Sequence, residues 1–119
     1  MKIFRFLDFK VYKDAKAFYN QIIELTNTIP RKFDYLVLQL RRSVLSVILN
    51  IAEGSAKKSD KDFNRYIENS LGSINESVAC LEIILEHNLI TKEEFQELFL
   101  QAEEIAKQLG GLSKKLKSG

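Results

Sequence analysis

The stretch Leu40–Gly54, LRRSVLSVILNIAEG, decides how this chain folds. It is too apolar for an ordinary surface helix and too short to span a bilayer. It nevertheless keeps two arginines, two serines, an asparagine and a glutamate. At helical spacing, Gln39, Arg42, Ser43, Ser46, Asn50 and Glu53 fall within an arc of roughly 100°. Leu36, Val37, Leu38, Leu40, Val44, Leu45, Val47, Ile48, Leu49, Ile51 and Ala52 make the rest of the helix apolar, and Arg41 alone interrupts them. A peripheral helix in a monomeric bundle needs one apolar stripe, and this one has about twice that width. A second subunit is the economical covering for the surplus. The competing reading makes this the most buried helix of a small bundle. The polar stripe then either fixes helix register by hydrogen bonds or lines a boundary between subunits.

The same helical period extends along the whole chain. A first helix over about residues 8–28 places Val11, Tyr12, Ala15, Phe18, Tyr19, Ile22 and Leu25 on one face. The Ile29-Pro30 step ends it, because proline disfavours helix in the residue before it. A second helix runs over about 32–53, with Gly54 suited to a left-handed C-terminal cap. Ser59 with Asp62 forms a capping box that opens a third helix over 60–86. Thr91 with Glu94 forms another, opening a fourth over 92–117. The leucine spacing continues through Gly110-Gly111, so the fourth helix is expected to continue there, with a close backbone contact as the reason for the glycines. Four helices with short connections predict a single all-α domain over 1–119, an antiparallel up-down-up-down four-helix bundle.

Bulk properties agree with that class. The 119 residues are 45% hydrophobic and 29% charged, with one Pro and five Gly. These values describe one soluble globular domain. A single Cys forms no internal disulfide, no apolar run reaches about 18 residues, and MKIFRFLDFK lacks a signal peptide's apolar centre. A cytoplasmic protein with no membrane partner is expected. The net charge of +2 is unevenly distributed. Residues 1–65 carry +6, residues 66–113 carry −7, and the last six residues add three lysines. One region can therefore attract anions while another attracts cations.

QLRRSVLSVILNIAEGSAKKSDKDFNRYIENSLGSINES resembles the signature of the four-helix-bundle proteins encoded in intervening sequences of bacterial 23S ribosomal RNA genes. The residues that carry the resemblance are Leu40, Arg41, Arg42, Ser46, Asn50, Ile51, Ala52, Glu53 and Gly54, followed by Phe63, Arg65, Gly72, Ser73 and Glu76. DFKVYKDA resembles the family's opening to its first helix, so the resemblance covers nearly the whole chain. The accessory variability determinant of diversity-generating retroelements is similar to the same family. This chain departs from the pattern at Ile48, where family members often carry proline, and at Tyr12, where they often carry tryptophan. The resemblance implies an all-α bundle that assembles as a homopentamer and has no established enzymatic activity; no cofactor is expected. Through the retroelement relatives it implies a basic surface for nucleic acid and a reverse transcriptase as partner.

The residues themselves argue against catalysis. His87 is the only histidine, and a di-metal bundle site needs two Glu-x-x-His pairs. His87 suits the end of the third helix, where a cation is welcome near the carbonyls. Cys80 has Glu76 and Glu82 as charged neighbours instead of a cation, and reads as a core residue. The serines lack a general base, and the glycines form no phosphate loop. Neither a catalytic nor a metal site is expected.

Lys57, Lys58, Lys61 and Arg65 form the best positive cluster, and these four are the expected nucleic-acid contacts. Lys10, Lys13 and Lys16 add a stripe on the first helix, and Lys114, Lys115 and Lys117 a basic tail. The competing reading has these cations paired with Asp60, Asp62 and the acidic C-terminal half. No basic-plus-aromatic reading motif is visible, so binding to RNA or DNA would be driven by shape and charge. Arg41, Arg42, Ser46, Val47, Asn50 and Glu53 are assigned to an oligomer interface or a structural polar stripe. A buried arginine there calls for a carboxylate partner, such as Glu53 or Glu76. The alternative to a nucleic-acid binder is a protein-interaction scaffold of the same fold.

Overall fold

The computed structural model describes residues 3–118. Four helices follow one another: α1 (Lys10–Thr26), α2 (Asp34–Ser55), α3 (Asp60–Glu86) and α4 (Lys92–Ser118). Short 3-10 turns over Arg5–Asp8 and Arg31–Phe33 precede α1 and α2. Among the described residues there is no strand, and the expected all-α four-helix bundle is the observed fold. The bundle is elongated, 45 × 24 × 20 Å.

The helix ends follow local chemistry. Asp62 N–H donates to Ser59 Oγ at 3.1 Å, capping α3. At α4 the box is reciprocal: Glu94 N–H donates to Thr91 Oγ1 at 3.0 Å, and Thr91 N–H donates to Glu94 Oε1 at 2.9 Å. Between them α3 closes on a left-handed Asn88, φ 57°. Asn88 N–H reaches Leu85 O at 2.9 Å and Leu89 N–H reaches Ile84 O at 3.2 Å, the paired bonds of a Schellman motif.

The core runs the length of the bundle. Ala15, Phe18 and Ile22 of α1 meet Leu40, Val44, Val47 and Ile51 of α2, Ile67, Ile74, Leu81 and Ile84 of α3, and Ile105 and Leu109 of α4. Residues 31–55 are long and apolar enough to cross a bilayer by length and composition, contrary to the expectation from apolar runs. Here that apolarity serves the bundle, because Val37, Leu40, Val44, Val47, Ile48 and Ile51 are buried inside it.

Gln39, Ser43 and Ser46 of the α2 polar stripe bond to α3 within the chain, while Arg42 and Glu53 stay exposed. Ser43 and Ser77 share a hydrogen bond at 2.8 Å, and Ser46 and Ser73 another at 2.9 Å. Ser70 Oγ donates to Val47 O at 2.9 Å, and Gln39 donates to Glu76. The pairs 43/77, 46/73 and 47/70 step in opposite directions along the two helices, which sets their antiparallel register. Small side chains at the contact let the backbones approach closely.

Four expectations need correction. Gly54 is a helical residue of α2 and has no positive φ. It is required because a Cβ there would lie 2.7 Å from Tyr66 Cβ and 3.0 Å from the Phe63 ring. Gly110 and Gly111 lie inside α4 as expected, but open space surrounds them and there is no close contact. Arg41 has no carboxylate partner. Its Nε donates to Thr26 Oγ1 at 3.0 Å, and one Nη donates to Asn27 Oδ1 at 3.1 Å and Ile23 O at 3.3 Å. It therefore caps the C-terminal turn of α1, where the carbonyls carry partial negative charge. Val47 is fully buried in the monomer's core and presents nothing to a second subunit.

Candidate nucleic-acid interface

Up-down topology sends the chain past the same end of the bundle three times. The N-terminal turn, the α2–α3 connection and the end of α4 all meet there. Arg5 ties the first two together, its Nε donating to Ser55 O at 2.9 Å. Its guanidinium lies 5.2 Å from the Phe63 ring centre and 5.9 Å from that of Phe9. These two rings stack at 6.4 Å with an interplanar angle of 16°.

The four expected contacts sit at this end. Lys58, Lys61 and Arg65 are exposed and Lys57 is half-buried. Lys57 Nζ lies 5.0 Å from the Tyr66 ring centre, and the Arg65 guanidinium lies 5.3 Å from it. A cation on an aromatic face keeps its charge and loses some freedom. The folded chain thus supplies an aromatic-and-cation group that the sequence reading did not find. The signal was the adjacency of Arg65 and Tyr66, but bringing Lys57 to the same ring takes the close passage at Gly54.

Neutralisation is slight. Arg65 approaches Asp62 at 3.8 Å, with both side chains mostly in solvent, a pair of little energetic weight. Among the described residues Lys57, Lys58 and Lys61 form no ion pair. Lys114, Lys115 and Lys117, on the exposed final turns of α4, reach the same end. The acids at this end include Asp8, Asp60, Asp62 and Glu53 of the last turn of α2. Most glutamates of α3 and α4 lie farther along the bundle, so the sequence's charge asymmetry becomes a basic end and an acidic remainder.

The α1 lysines contribute less than expected. Lys10 Nζ bonds Asp14 Oδ2 at 2.7 Å, and Lys16 lies over the Tyr12 ring. Gln108 also donates to Asp14 Oδ2 at 2.7 Å, joining α1 to α4. The Lys10 and Gln108 bonds hold the Asp14 carboxyl below its ordinary value.

The remaining stripe residues divide by partner. Ser46 bonds Ser73, and Asn50 Nδ2 donates to Ser46 O at 2.8 Å. Arg42 and Glu53 are exposed and flank Leu45 and Leu49 around a shallow hollow on α2. The exposed apolar residues of α2 are Tyr35 (65% exposed), Leu38 (57%), Leu45 (38%) and Leu49 (55%). With Arg42 they recur at alternating spacings of three and four, the pattern of a helix–helix seam.

His87 caps α3, its Nδ1 3.0 Å from Ile83 O. Cys80 is buried, and that burial, with Glu76 nearby, raises its thiol pKa. Among the described residues no group of three His, Cys, Asp or Glu side chains could hold a metal ion.

The sequence model of the 23S rRNA-intervening sequence protein family matches residues 7–111. A solved structure of a Bacteroides thetaiotaomicron protein of unknown function, from the S23 ribosomal protein family, is similar in fold with a TM-score of 0.80. It shares 27% sequence identity, and the match covers 87% of this chain and 98% of that one. No curated protein matches the chain.

Proposed function

Starting from the fact that this chain belongs to the 23S rRNA-intervening sequence protein family, we propose that it is a non-enzymatic, cytoplasmic, homopentameric bundle that binds RNA or DNA through its basic end. The observation that carries this reading is the meeting of Arg5, Lys57, Lys58, Lys61, Arg65 and the Lys114–Lys117 segment at one end, with a single weak ion pair among the central four. Polyphosphate binding needs clustered cations and the release of counterions, and little else. Repetition around an oligomer axis multiplies the contacts without new chemistry.

The exposed row Tyr35, Leu38, Leu45 and Leu49 supports self-association. An apolar seam of this kind is covered by another helix in a stable assembly. Arg42 and Glu53 at its flanks give a neighbouring copy charges of both signs against which to set register. Val47, once assigned to this interface, is replaced by Leu45 and Leu49.

Fluorescence anisotropy with a labelled structured RNA tests the binding claim. Lys57→Glu, Lys58→Glu and Lys61→Glu together should abolish binding and leave the oligomer intact. Neutral single variants, Lys58→Gln or Lys61→Gln, should each make the log–log salt slope shallower by about 0.7 to 0.9. Unchanged affinity in the triple variant would refute the site. An intact oligomer indifferent to RNA and DNA would favour a protein-interaction scaffold instead.

A further inference from the structure

The basic end is not a flat surface. The N-terminal turn, the first turn of α3 and the last turns of α4 line an open cavity of about 520 Å³, within the size range of ligand sites. Phe9, Phe63, Leu112 and Leu116 supply its apolar lining, and Arg5, Asp60 and Lys115 its charged groups. We propose that this cavity receives an unstacked base of a single-stranded polynucleotide, so that the basic end prefers single strands to duplex. The inference rests on the nucleic-acid reading above and names the strand form that site takes.

Three features favour a base over other occupants. The lining is aromatic and aliphatic, and every base has a π-face that stacks on such groups. Arg5 is held in place by its bond to Ser55 O and its position over Phe9 and Phe63. A guanidinium fixed at its Nε still presents a flat face to a base and Nη donors to a phosphate. Asp60 then decides the class of ligand. It forms no ion pair or side-chain hydrogen bond among the described residues. A carboxylate inside the cavity repels a phosphate or any other anionic headgroup placed there. The same carboxylate accepts hydrogen bonds from the N–H edge of a neutral base. The phosphates on either side of that base would meet Lys115 and its exposed neighbours Lys114 and Lys117. In a duplex the base is paired and stacked, and it reaches the cavity only by opening.

The test uses a single-stranded RNA decamer carrying one 2-aminopurine, and a blunt duplex of equal phosphate number, at one salt concentration. The unmodified protein should bind the single strand about tenfold more tightly, the scale of one stacked base, and its binding should change the 2-aminopurine emission. Leu116→Trp, which fills the cavity from a half-buried position in the last turns of α4, should bring single-strand affinity down to that of the duplex. Equal affinity for the two forms with unaltered emission would overturn the inference while the nucleic-acid reading stood. The emission measurement needs no variant, so it decides the matter even if Leu116→Trp misfolds. Displacement of the decamer by an equal base concentration of guanosine monophosphate would assign the cavity to free nucleotides and overturn the polynucleotide source. Failure to bind either form would refute the reading on which the inference rests.

Discussion

Gly54 of α2 passes Tyr66 of α3 so closely that a Cβ on residue 54 would stand 2.7 Å from Tyr66 Cβ. The obstructing atom is next to the backbone, so it cannot rotate away as the end of a long side chain would. Gly54→Ala should therefore destabilise the protein by about 1–3 kcal/mol, despite alanine's better helix propensity. Gly110→Ala and Gly111→Ala meet no atom within 4 Å. Each should stabilise by up to about 1 kcal/mol. Urea midpoints of the three variants check this contrast, and a gain in stability at Gly54 would contradict the close approach.

Arg41 joins α2 to the last turn of α1 through Thr26, Asn27 and Ile23. Arg41→Met keeps the apolar stem and loses all three bonds. The expected cost is about 1.5–3 kcal/mol, the range for hydrogen bonds from a charged group. RNA affinity should not change, because the residue lies at the end of the bundle opposite the lysine cluster. A stability loss with unchanged affinity supports the capping role. An affinity loss with unchanged stability would make Arg41 a nucleic-acid contact.

Helix order, the Ser59 cap of α3, the Thr91–Glu94 capping box and the antiparallel bundle were legible in the sequence, because each depends on spacing within a few residues; the other half of the expected Ser59–Asp62 box does not form. Boundaries were less so. The sequence placed the first helix at 8–28 and the second at 32–53, whereas α1 is Lys10–Thr26 and α2 is Asp34–Ser55. Residues near these ends form 3-10 turns, which periodicity does not separate from α-helix. The width of the α2 apolar arc had two causes that a helical projection superimposes. Leu40, Val44 and Val47 face the core, while Leu38, Leu45 and Leu49 remain exposed. The lysine cluster was visible as a local run, but its surroundings were not. Arg5 and Ser55 are fifty residues apart, and the cavity at the basic end needs three separate segments to line it. Gly54 was misread for the same reason: a glycine near a helix end suggests a cap, and only the partner helix reveals a packing role.

The exposed row on α2 separates assembly from folding. Leu45→Glu with Leu49→Glu should lower the mass to one chain and retain a cooperative melt, because neither side chain is buried in the monomer. Val47→Asp should instead unfold the chain, since it leaves a charge in the core. Sedimentation velocity and circular dichroism distinguish these results. An oligomer that survives both glutamates would move the interface to another face.

Asp14 gives the acid response a specific sign. Lys10 first, and Gln108 second, hold its carboxyl below the ordinary value. Its contribution is therefore complete above the unfolded value of about 3.9 and is lost as pH falls through the lower folded value. Asp14→Asn should lower the urea midpoint at neutral pH, and the two proteins should converge in stability at the acid end. A difference that grows on acidification would contradict the Lys10–Asp14–Gln108 link between α1 and α4.

The account as a whole rests on a basic end repeated around an assembly. Light-scattering mass coupled to size exclusion, with and without a structured RNA at low and moderate salt, tests this most directly. The prediction is a mass near five chains alone, and an RNA-bound species at low salt that weakens steeply as salt rises. A mass of one chain, or an elution unchanged by RNA at low salt, would contradict it.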